Sequence, residues 1–170
     1  YLERNNKHYL LAVMMEYYTF IRPTELTKIK IGDISINNQT VFVSSEISKN
    51  RRDGKVALND KLVRLMIQLN IFASPSSFYL FGRGCMPTEK PVTAALFRNE
   101  FVKVRKELGF PDKYQFYSLK DSGIRDLANA KGIVMAKNQA RHSDISTTNK
   151  YLQGQDIPVD EDTKHFDGDI

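Results

Sequence analysis

The 170-residue sequence has few of the residues that build covalent or metal-based scaffolds. It contains one cysteine, Cys85, and three histidines. A single cysteine excludes a disulfide framework and a cysteine-based zinc site, and three histidines leave little room for a histidine-rich site. No apolar run approaches the roughly 18 residues that a membrane-spanning helix needs, and no signal peptide is visible after Tyr1. These absences predict a protein of the reducing cytosol.

Negative charge is also scarce outside the C-terminal end of the sequence. The chain has 25 Lys and Arg residues against 20 Asp and Glu residues, but six acidic residues and only one lysine fall in residues 154–170. Residues 1–153 therefore carry 24 basic against 14 acidic residues, a net charge of +10. Such a basic body suits a polyanionic partner, nucleic acid above all, although many ordinary proteins also have a high isoelectric point. The charge pattern predicts a basic domain over 1–153 and an irregular acidic tail over 154–170.

The hydrophobic pattern of the basic domain predicts mostly helices. The apolar run 8–20 is typical of a buried helix, and Pro23 fits the first position of a short second helix. Residues 33–49 carry β-branched side chains around an Asn-Asn turn, which predicts a hairpin. A turn over 51–54 and a third strand over 55–58 are expected next. Two further helices are predicted next, one after an Asp60 cap and one that ends at Gly109. Three more are predicted over 119–131 after a Ser118 cap, over 133–141 and near 147–152. The predicted fold is mainly α (α+β), with a small antiparallel three-stranded sheet.

Two groups of cations in the first third of the sequence are candidates for phosphate contacts. Arg22 precedes Pro23 and has Glu25 three residues further on. Its planar guanidinium can donate two parallel hydrogen bonds to a phosphate, but it can equally form a structural ion pair with Glu25. The predicted turn after the hairpin is basic and can reach a DNA groove or a scissile phosphate, or it can simply be solvated. Its four cations are Lys49, Arg51, Arg52 and Lys55.

Two later segments add hydroxyl and imidazole groups. Tyr117 and Lys120 lie three residues apart at a predicted helix start, where free N–H groups attract anions. His142 precedes Tyr151 by nine residues, with a Ser/Thr-rich link between them. A tyrosine hydroxyl can act as a nucleophile when its neighbours stabilise the phenolate, whose unperturbed pKa is about 10. Taken singly, each of these residues is also compatible with an ordinary structural role.

The order of these residues resembles that of the tyrosine recombinase (phage integrase) family. Arg22, in YYTFIRPTEL, looks like the first catalytic arginine of that family, with Glu25 in the family's acidic position. Lys49 looks like the family's hairpin lysine. The segment HSDISTTNKY is similar to the signature His-Ser-x-Ile-Ser-Thr-Thr-x-x-Tyr, in which Tyr151 is the expected nucleophile and His142 its helper.

Two motifs depart from the family pattern. The central box usually reads His-x-Leu-Arg-His-Thr, and here it reads Tyr-Ser-Leu-Lys-Asp-Ser. Tyr117 therefore stands for the usual histidine and Lys120 for the second arginine. Lysine keeps the charge but lacks the two-pronged grip, and tyrosine can donate a hydrogen bond but cannot shuttle protons near neutral pH. Ala140-Arg141 stands where Leu-Gly commonly precedes the histidine of the last box.

The resemblance implies a site-specific DNA recombinase of a mobile element that forms a covalent 3′-phosphotyrosine without metal or cofactor. In this interpretation Arg22, Lys120 and His142 stabilise the transition state, and Lys49 protonates the leaving 5′-oxygen alone or together with Tyr117. The DNA-binding residues are expected to be Arg51, Arg52 and Lys55.

The resemblance also implies partners and further domains. Double-stranded attachment sites, a tetramer of the full-length protein on DNA, and a bacterial cytoplasm are expected. The sequence begins without Met and is expected to lack an N-terminal core-binding domain that the family pairs with this one. Three alternatives remain open at this point: a catalytically impaired DNA-binding relative, a type IB topoisomerase-like enzyme, and a structural helical domain.

Overall fold

Residues 1–153, the part of the chain that the computed structural model describes, form eight α-helices and one small sheet. The predicted acidic tail, 154–170, lies outside the described residues. The helices are α1 (Leu2–Asn5), α2 (Lys7–Thr19), α3 (Pro23–Leu26), α4 (Asp60–Gln68), α5 (Ala95–Glu107), α6 (Ser118–Lys131), α7 (Ile133–Gln139) and α8 (Ile145–Asn149). The strands are β1 (Ile34–Ser35), β2 (Thr40–Val43) and β3 (Gly54–Ala57). None of the described helices is long and apolar enough to cross a membrane.

Helix α2 is the central element of the core. It packs against α4, α5 and α6, so it has no fully solvated face, and this explains the nearly unbroken apolar run of its sequence. Its N-terminus is capped by Asn6, whose side chain accepts a hydrogen bond from the Tyr9 backbone N–H. The ring of buried Tyr9 packs at a tilt against Phe116, and its hydroxyl donates a hydrogen bond to the Phe97 carbonyl oxygen at 2.9 Å. The predicted buried helix over 8–20 is confirmed with bounds one residue earlier.

The three strands form one antiparallel sheet in the order β1-β2-β3. Val41 pairs with Val56 and Val43 with Gly54, so the valine side chains of β2 and β3 lie together on the buried face. The predicted mainly helical fold with a small three-stranded sheet is confirmed. The strands are shorter than predicted, however, because β2 ends at Val43 and residues 44–53 form a long loop. The prediction that Lys49 ends a strand is therefore wrong, since this residue lies within the β2–β3 loop.

Two predicted helix caps are also wrong. Asn59 rather than Asp60 caps α4, because the Asn59 side chain accepts the Leu62 backbone N–H at 2.9 Å and Asp60 is already helical. Ser118 is the first residue of α6, and its hydroxyl accepts from the Gln115 N–H, which precedes the helix. The chain reaches α6 through a series of tight turns and needs no side-chain cap there.

Helices α6, α7 and α8 form a second layer against α2. The crossing of α6 over α2 depends on Gly123, because a Cβ at this position would overlap the Tyr17 carbonyl oxygen. Helix α7 ends at Gln139, two residues earlier than predicted. Helix α8 begins at Ile145 after an Asp144 cap, so the helix predicted near 147–152 is shifted towards the N-terminus. Tyr151 consequently lies in the turn after α8.

Candidate active site

The Glu25 carboxylate is buried at the start of α3 and joins three segments of the chain. Pro23 opens the helix, so the Glu25 side chain reaches back to accept the Arg22 backbone N–H at 3.1 Å. It also accepts the Lys49 backbone N–H at 3.0 Å and pairs with the guanidinium groups of Arg22 at 3.4 Å and Arg141 at 2.5 Å. Burial alone would raise the pKa of Glu25, but the Lys49 N–H and the Arg141 cation outweigh it, and this pKa lies below its ordinary value. Glu25 is therefore a fixed anion between two arginines.

The β2–β3 loop, residues 44–53, carries Lys49 beside this carboxylate. The loop is closed by the Asp53 side chain, which accepts the Ser45 backbone N–H at 2.6 Å. The backbone of Lys49 is anchored on Glu25, whereas its side chain is exposed to solvent. The other predicted DNA-binding residues are exposed on this loop and on the following strand, namely Arg51, Arg52 and Lys55.

Lys120 lies in the first turn of α6 and is fully buried. Its Nζ atom has no hydrogen-bond partner among residues 1–153 and lies 5.8 Å from the centre of the Tyr117 ring. Burial, followed by repulsion from Arg22, lowers the pKa of Lys120 to about 8. The predicted proximity of Tyr117, Lys120 and Arg22 is found, but Lys120 is an internal cation rather than a solvent-facing one.

Glu16 on α2 is a buried carboxyl group that sequence reasoning missed. Within the described part of the chain neither of its oxygens has a hydrogen-bond partner. Burial raises its pKa well above the ordinary value, and attraction to Lys120 only partly opposes this. The signal was present in the sequence, because Glu16 is the only acidic residue of the apolar run 8–20.

His142 and Tyr151 stack on each other beside α8. Their ring centres lie 5.9 Å apart with an angle of 12° between the planes, and His142 Nδ1 is 2.9 Å from the Thr148 hydroxyl. Burial, reinforced by Lys120, Arg22 and Arg141, lowers the pKa of His142 to about 4. The imidazole is therefore neutral at pH 7, and its Nδ1 is occupied by Thr148.

The Tyr151 hydroxyl lies close enough to the hydroxyl of Tyr117 for each group to shift the pKa of the other. Burial and the interaction with Tyr117 raise the pKa of Tyr151 to about 12, although Arg22 opposes the shift. The phenol is therefore protonated at neutral pH in this state. A nucleophilic role requires additional positive charge or a proton acceptor at this hydroxyl.

A cleft of about 610 Å³ opens next to these groups. Three arginines, Arg22, Arg52 and Arg141, line it together with His142. Lys120 is not among the lining residues, but it is buried close enough to Arg22 and Arg141 for their charges to lower its pKa. This set of donors suits a phosphate group, because guanidinium forks in a partly desolvated site bind phosphate oxygens in pairs. Among residues 1–153 there is no group of three or more His, Cys, Asp or Glu side chains that could hold a metal ion.

Arg141 is the second residue of this region whose role sequence reasoning missed. Its backbone is in the left-handed region (φ 56°). The last box of the family motif commonly has glycine at this position, directly before the histidine. The motif comparison identified the difference but not its consequence, because the partner Glu25 is 116 residues away in the sequence.

Residues 2–156 match the model of the phage integrase family. The chain is 24% identical to the integrase of Shigella phage Sf6 over 101 residues. The aligned region covers 59% of this chain and 25% of the phage protein. Its fold is similar to that of XerA recombinase, with a TM-score of 0.74 and 19% identity over 91% of this chain and 56% of that one. It is also similar to lambda integrase, solved as a dimer bound to a COC′ core site, with a TM-score of 0.72 and 14% identity over 94% and 47% of the two chains. The chain thus spans a quarter of the length of the Sf6 integrase and about half that of these solved structures.

Proposed function

The chain belongs to the phage integrase family, and from this premise we propose that residues 1–153 are the catalytic domain of a site-specific DNA recombinase acting through a covalent 3′-phosphotyrosine. The observation that carries the proposal is the stacked pair of His142 and Tyr151 beside a cleft lined by Arg22. Cleavage and rejoining of DNA need a nucleophile and cations at one phosphate, and this arrangement supplies both.

In the proposed reaction the Tyr151 hydroxyl oxygen attacks the phosphorus of the scissile phosphate. The new O–P bond forms while the phenol passes its proton to Nε2 of the neutral His142, and the bond to the 5′-oxygen breaks. The DNA 3′ end remains attached to Tyr151, and the other end leaves as a free 5′-hydroxyl. The reverse reaction with a new 5′-hydroxyl joins the strands, so the phosphotyrosine conserves the bond energy without metal or nucleotide cofactor.

Arg22, Lys120 and His142 would stabilise the negative charge that develops on the phosphate oxygens. Arg22 offers a planar fork at the cleft wall, and a single donor of this kind is typically worth about 3–4 kcal/mol. Neutral His142 holds Thr148 through Nδ1, which leaves Nε2 for a phosphate oxygen or for Tyr151. Lys120 acts as a buried point charge, and a bound phosphate favours its protonated form.

The leaving 5′-oxygen needs a proton, and Lys49 is the proposed donor. Its ammonium is exposed while its backbone is held on Glu25, so the side chain can reach a bound DNA strand. Tyr117 is the second candidate, because its hydroxyl lies near that of Tyr151. We expect the Tyr117 hydroxyl to donate a hydrogen bond to the phosphate when DNA binds, which leaves Tyr151 free for attack.

Double-stranded DNA attachment sites are the proposed substrate. Arg51, Arg52 and Lys55 would contact the backbone of the duplex around the scissile phosphate, since Arg52 lines the cleft and the other two are exposed beside it in the sequence. The full-length protein would work as a tetramer on two sites, as part of a bacterial mobile element, with a separate core-binding domain on the N-terminal side of the catalytic domain.

The decisive experiment is the capture of the covalent intermediate. The protein is incubated with duplexes that carry candidate attachment sequences and a nick next to the scissile phosphate, so that the short cleaved strand diffuses away. We expect a covalent DNA–protein adduct from the wild type and none from Tyr151→Phe, with DNA binding retained. Tyr114→Phe, an exposed tyrosine elsewhere, is the matched control. An adduct that persists in Tyr151→Phe would show that another residue is the nucleophile.

Two alternatives are separated by related measurements. A catalytically impaired DNA-binding relative is favoured by the departures at Tyr117 and Lys120, and it would bind DNA without any adduct. A type IB topoisomerase-like enzyme would form the adduct and relax a single supercoiled plasmid, but it would not exchange strands between two sites.

A further inference from the structure

Arg141 contacts the β2–β3 loop on both sides of Lys49. Its Nη1 lies 3.4 Å from the Ser48 hydroxyl, and its carbonyl oxygen accepts the Asn50 side-chain amide at 3.4 Å. The aliphatic part of Arg141 packs against Gly54, where an added Cβ would lie 2.8 Å from the Arg141 Cδ atom. Both neighbours of Lys49 in sequence, and Gly54 directly after the loop, are therefore in contact with one residue, Arg141.

The same guanidinium binds the carboxylate that anchors Lys49. Arg141 Nη2 donates to Glu25 Oε2 at 2.5 Å, while Glu25 Oε1 accepts the Lys49 backbone N–H at 3.0 Å. Arg141 is only 12% exposed in this pair, so solvent screens the interaction weakly. Arg141 thus connects the His142 segment, α3 and the β2–β3 loop.

Arg141 has an unfavourable backbone conformation, and its contacts with neighbouring residues offset the cost. A non-glycine residue with φ 56° is disfavoured by about 1–2 kcal/mol relative to the right-handed helical region, and glycine would adopt this conformation freely. Strained residues persist where the surrounding contacts fix them, and they cluster at functional sites. The contacts that fix Arg141 are those to Glu25, Ser48 and Asn50.

We propose that Arg141 is a positioning residue that fixes the β2–β3 loop on Glu25 and thereby places the Lys49 ammonium at the leaving 5′-oxygen. This inference rests on the proposed function, in which Lys49 is the general acid. It differs from a direct role of Arg141 at the phosphate, because it predicts a defect confined to protonation of the leaving group.

The test compares two DNA substrates, one natural and one with sulfur in place of the bridging 5′-oxygen. An alkoxide must be protonated as it leaves, whereas a thiolate leaves without a proton because thiols are far more acidic. Single-turnover adduct formation is measured at saturating protein. We expect Lys49→Ala to be slow on the oxygen substrate and largely restored on the sulfur substrate. Arg141→Gly should follow the same pattern, with a loss on the oxygen substrate on the order of 10²-fold. Arg22→Ala should be slow on both substrates.

The variants are chosen to separate positioning from folding. Glycine adopts the backbone of residue 141 without strain, and Arg141→Lys retains charge but cannot contact Glu25 and Ser48 together. Arg141→Lys should show a smaller loss, again restored by sulfur. Arg98→Ala, an exposed arginine on α5, should behave as wild type. Equal losses of Arg141→Gly on both substrates, or an unchanged rate on the oxygen substrate, would overturn the inference.

A second readout does not depend on catalysis. The Lys49 amide is hydrogen-bonded to Glu25, so its hydrogen exchange should be slow in the wild type and faster in Arg141→Gly. Unchanged exchange in that variant would overturn the positioning role even if no adduct forms. Absence of any adduct from the wild type on either substrate would instead refute the proposed function.

Discussion

Replacement of the buried Lys120 by methionine is expected to stabilise the protein and to slow the proposed DNA cleavage. Lys120 is fully buried, and its ammonium has no hydrogen-bond partner in the part of the chain that the structure describes. A methionine of similar length fills the same volume without a charge. Replacement of buried charges by apolar residues of similar volume often gives equal or higher stability, because the desolvation penalty disappears, provided that no partner charge is left unpaired.

The magnitude follows from the charge that burial disfavours. A pKa of about 8 instead of 10.5 means that the surroundings of Lys120 together disfavour its protonated form by about 3 kcal/mol, with burial as the largest cause. Removal of Lys120 leaves Glu16 buried, but burial already raises the pKa of Glu16 and loss of the cation raises it further, which favours the protonated carboxyl over an uncompensated buried charge. We therefore expect Lys120→Met to increase the free energy of unfolding by about 1–3 kcal/mol at neutral pH.

The pH dependence provides an independent check on the same reasoning. Between pH 8 and 10.5 the unfolded chain keeps the Lys120 proton that the folded protein has released. Wild-type stability relative to the variant therefore rises with pH through this window. The advantage of Lys120→Met should be full below pH 8 and should shrink towards pH 10.5.

Urea unfolding at neutral pH and at about pH 10 measures both effects. Lys131→Met, an exposed lysine at the end of the same helix, is the matched control and should change stability by less than about 0.5 kcal/mol. A Lys120→Met protein that is less stable than wild type at neutral pH would refute the reasoning. It would mean that the attraction between Lys120 and Glu16 exceeds the desolvation penalty.

Three further predictions concern other parts of the molecule. Glu25→Gln should lower the free energy of unfolding at pH 7 by about 3 kcal/mol, as measured in urea, because two arginines lose their buried counter-charge. Folding lowers the pKa of Glu25, so the difference in stability between wild type and variant should vanish as the pH falls below that pKa. A stability difference that does not change with pH would contradict the ionic explanation. Gly123→Ala should lower the free energy of unfolding by about 1–3 kcal/mol because the new Cβ overlaps the Tyr17 carbonyl oxygen, while the adjacent Ser122→Ala should leave it nearly unchanged. Equal thermal unfolding midpoints for the two variants would show that α6 can shift away from α2 without loss of stability. Adduct formation should be unaffected by EDTA, and restoration by magnesium of an EDTA-inhibited reaction would indicate a metal nuclease instead.

Local patterns in the sequence were sufficient to predict most of the fold. The apolar run that forms α2, the proline that opens α3 and the β-branched residues of the sheet each act over a few neighbouring residues. The β2–β3 loop was predicted poorly because its conformation depends on a carboxylate 24 residues away, Glu25, and on Asp53 at its other end. Strand alternation carries no information about such an anchor.

The site followed the same division. Arg22, His142 and Tyr151 could be recognised because each lies in a short segment that resembles a motif of the family. The fold brings Arg22 and His142 to one cleft and stacks Tyr151 on His142. Glu16 and Arg141 were missed because burial and a long-range pair define them. A carboxyl group in an apolar run becomes informative only when the helix is known to be central, as α2 is.

The two departures from the family motif have opposite effects on the guanidinium chemistry of the site. Lys120 removes a planar fork and replaces it with a buried charge that titrates near neutral pH. Arg141 adds a fork two residues after α7, at the cost of a left-handed backbone. Glu25 takes up the charge of Arg141 and of Arg22, so the added arginine stiffens the cleft more than it increases the field at the phosphate. In the proposed site a fixed loop is of most use where Lys120 stands in place of an arginine, because a point charge attracts a phosphate without orienting it.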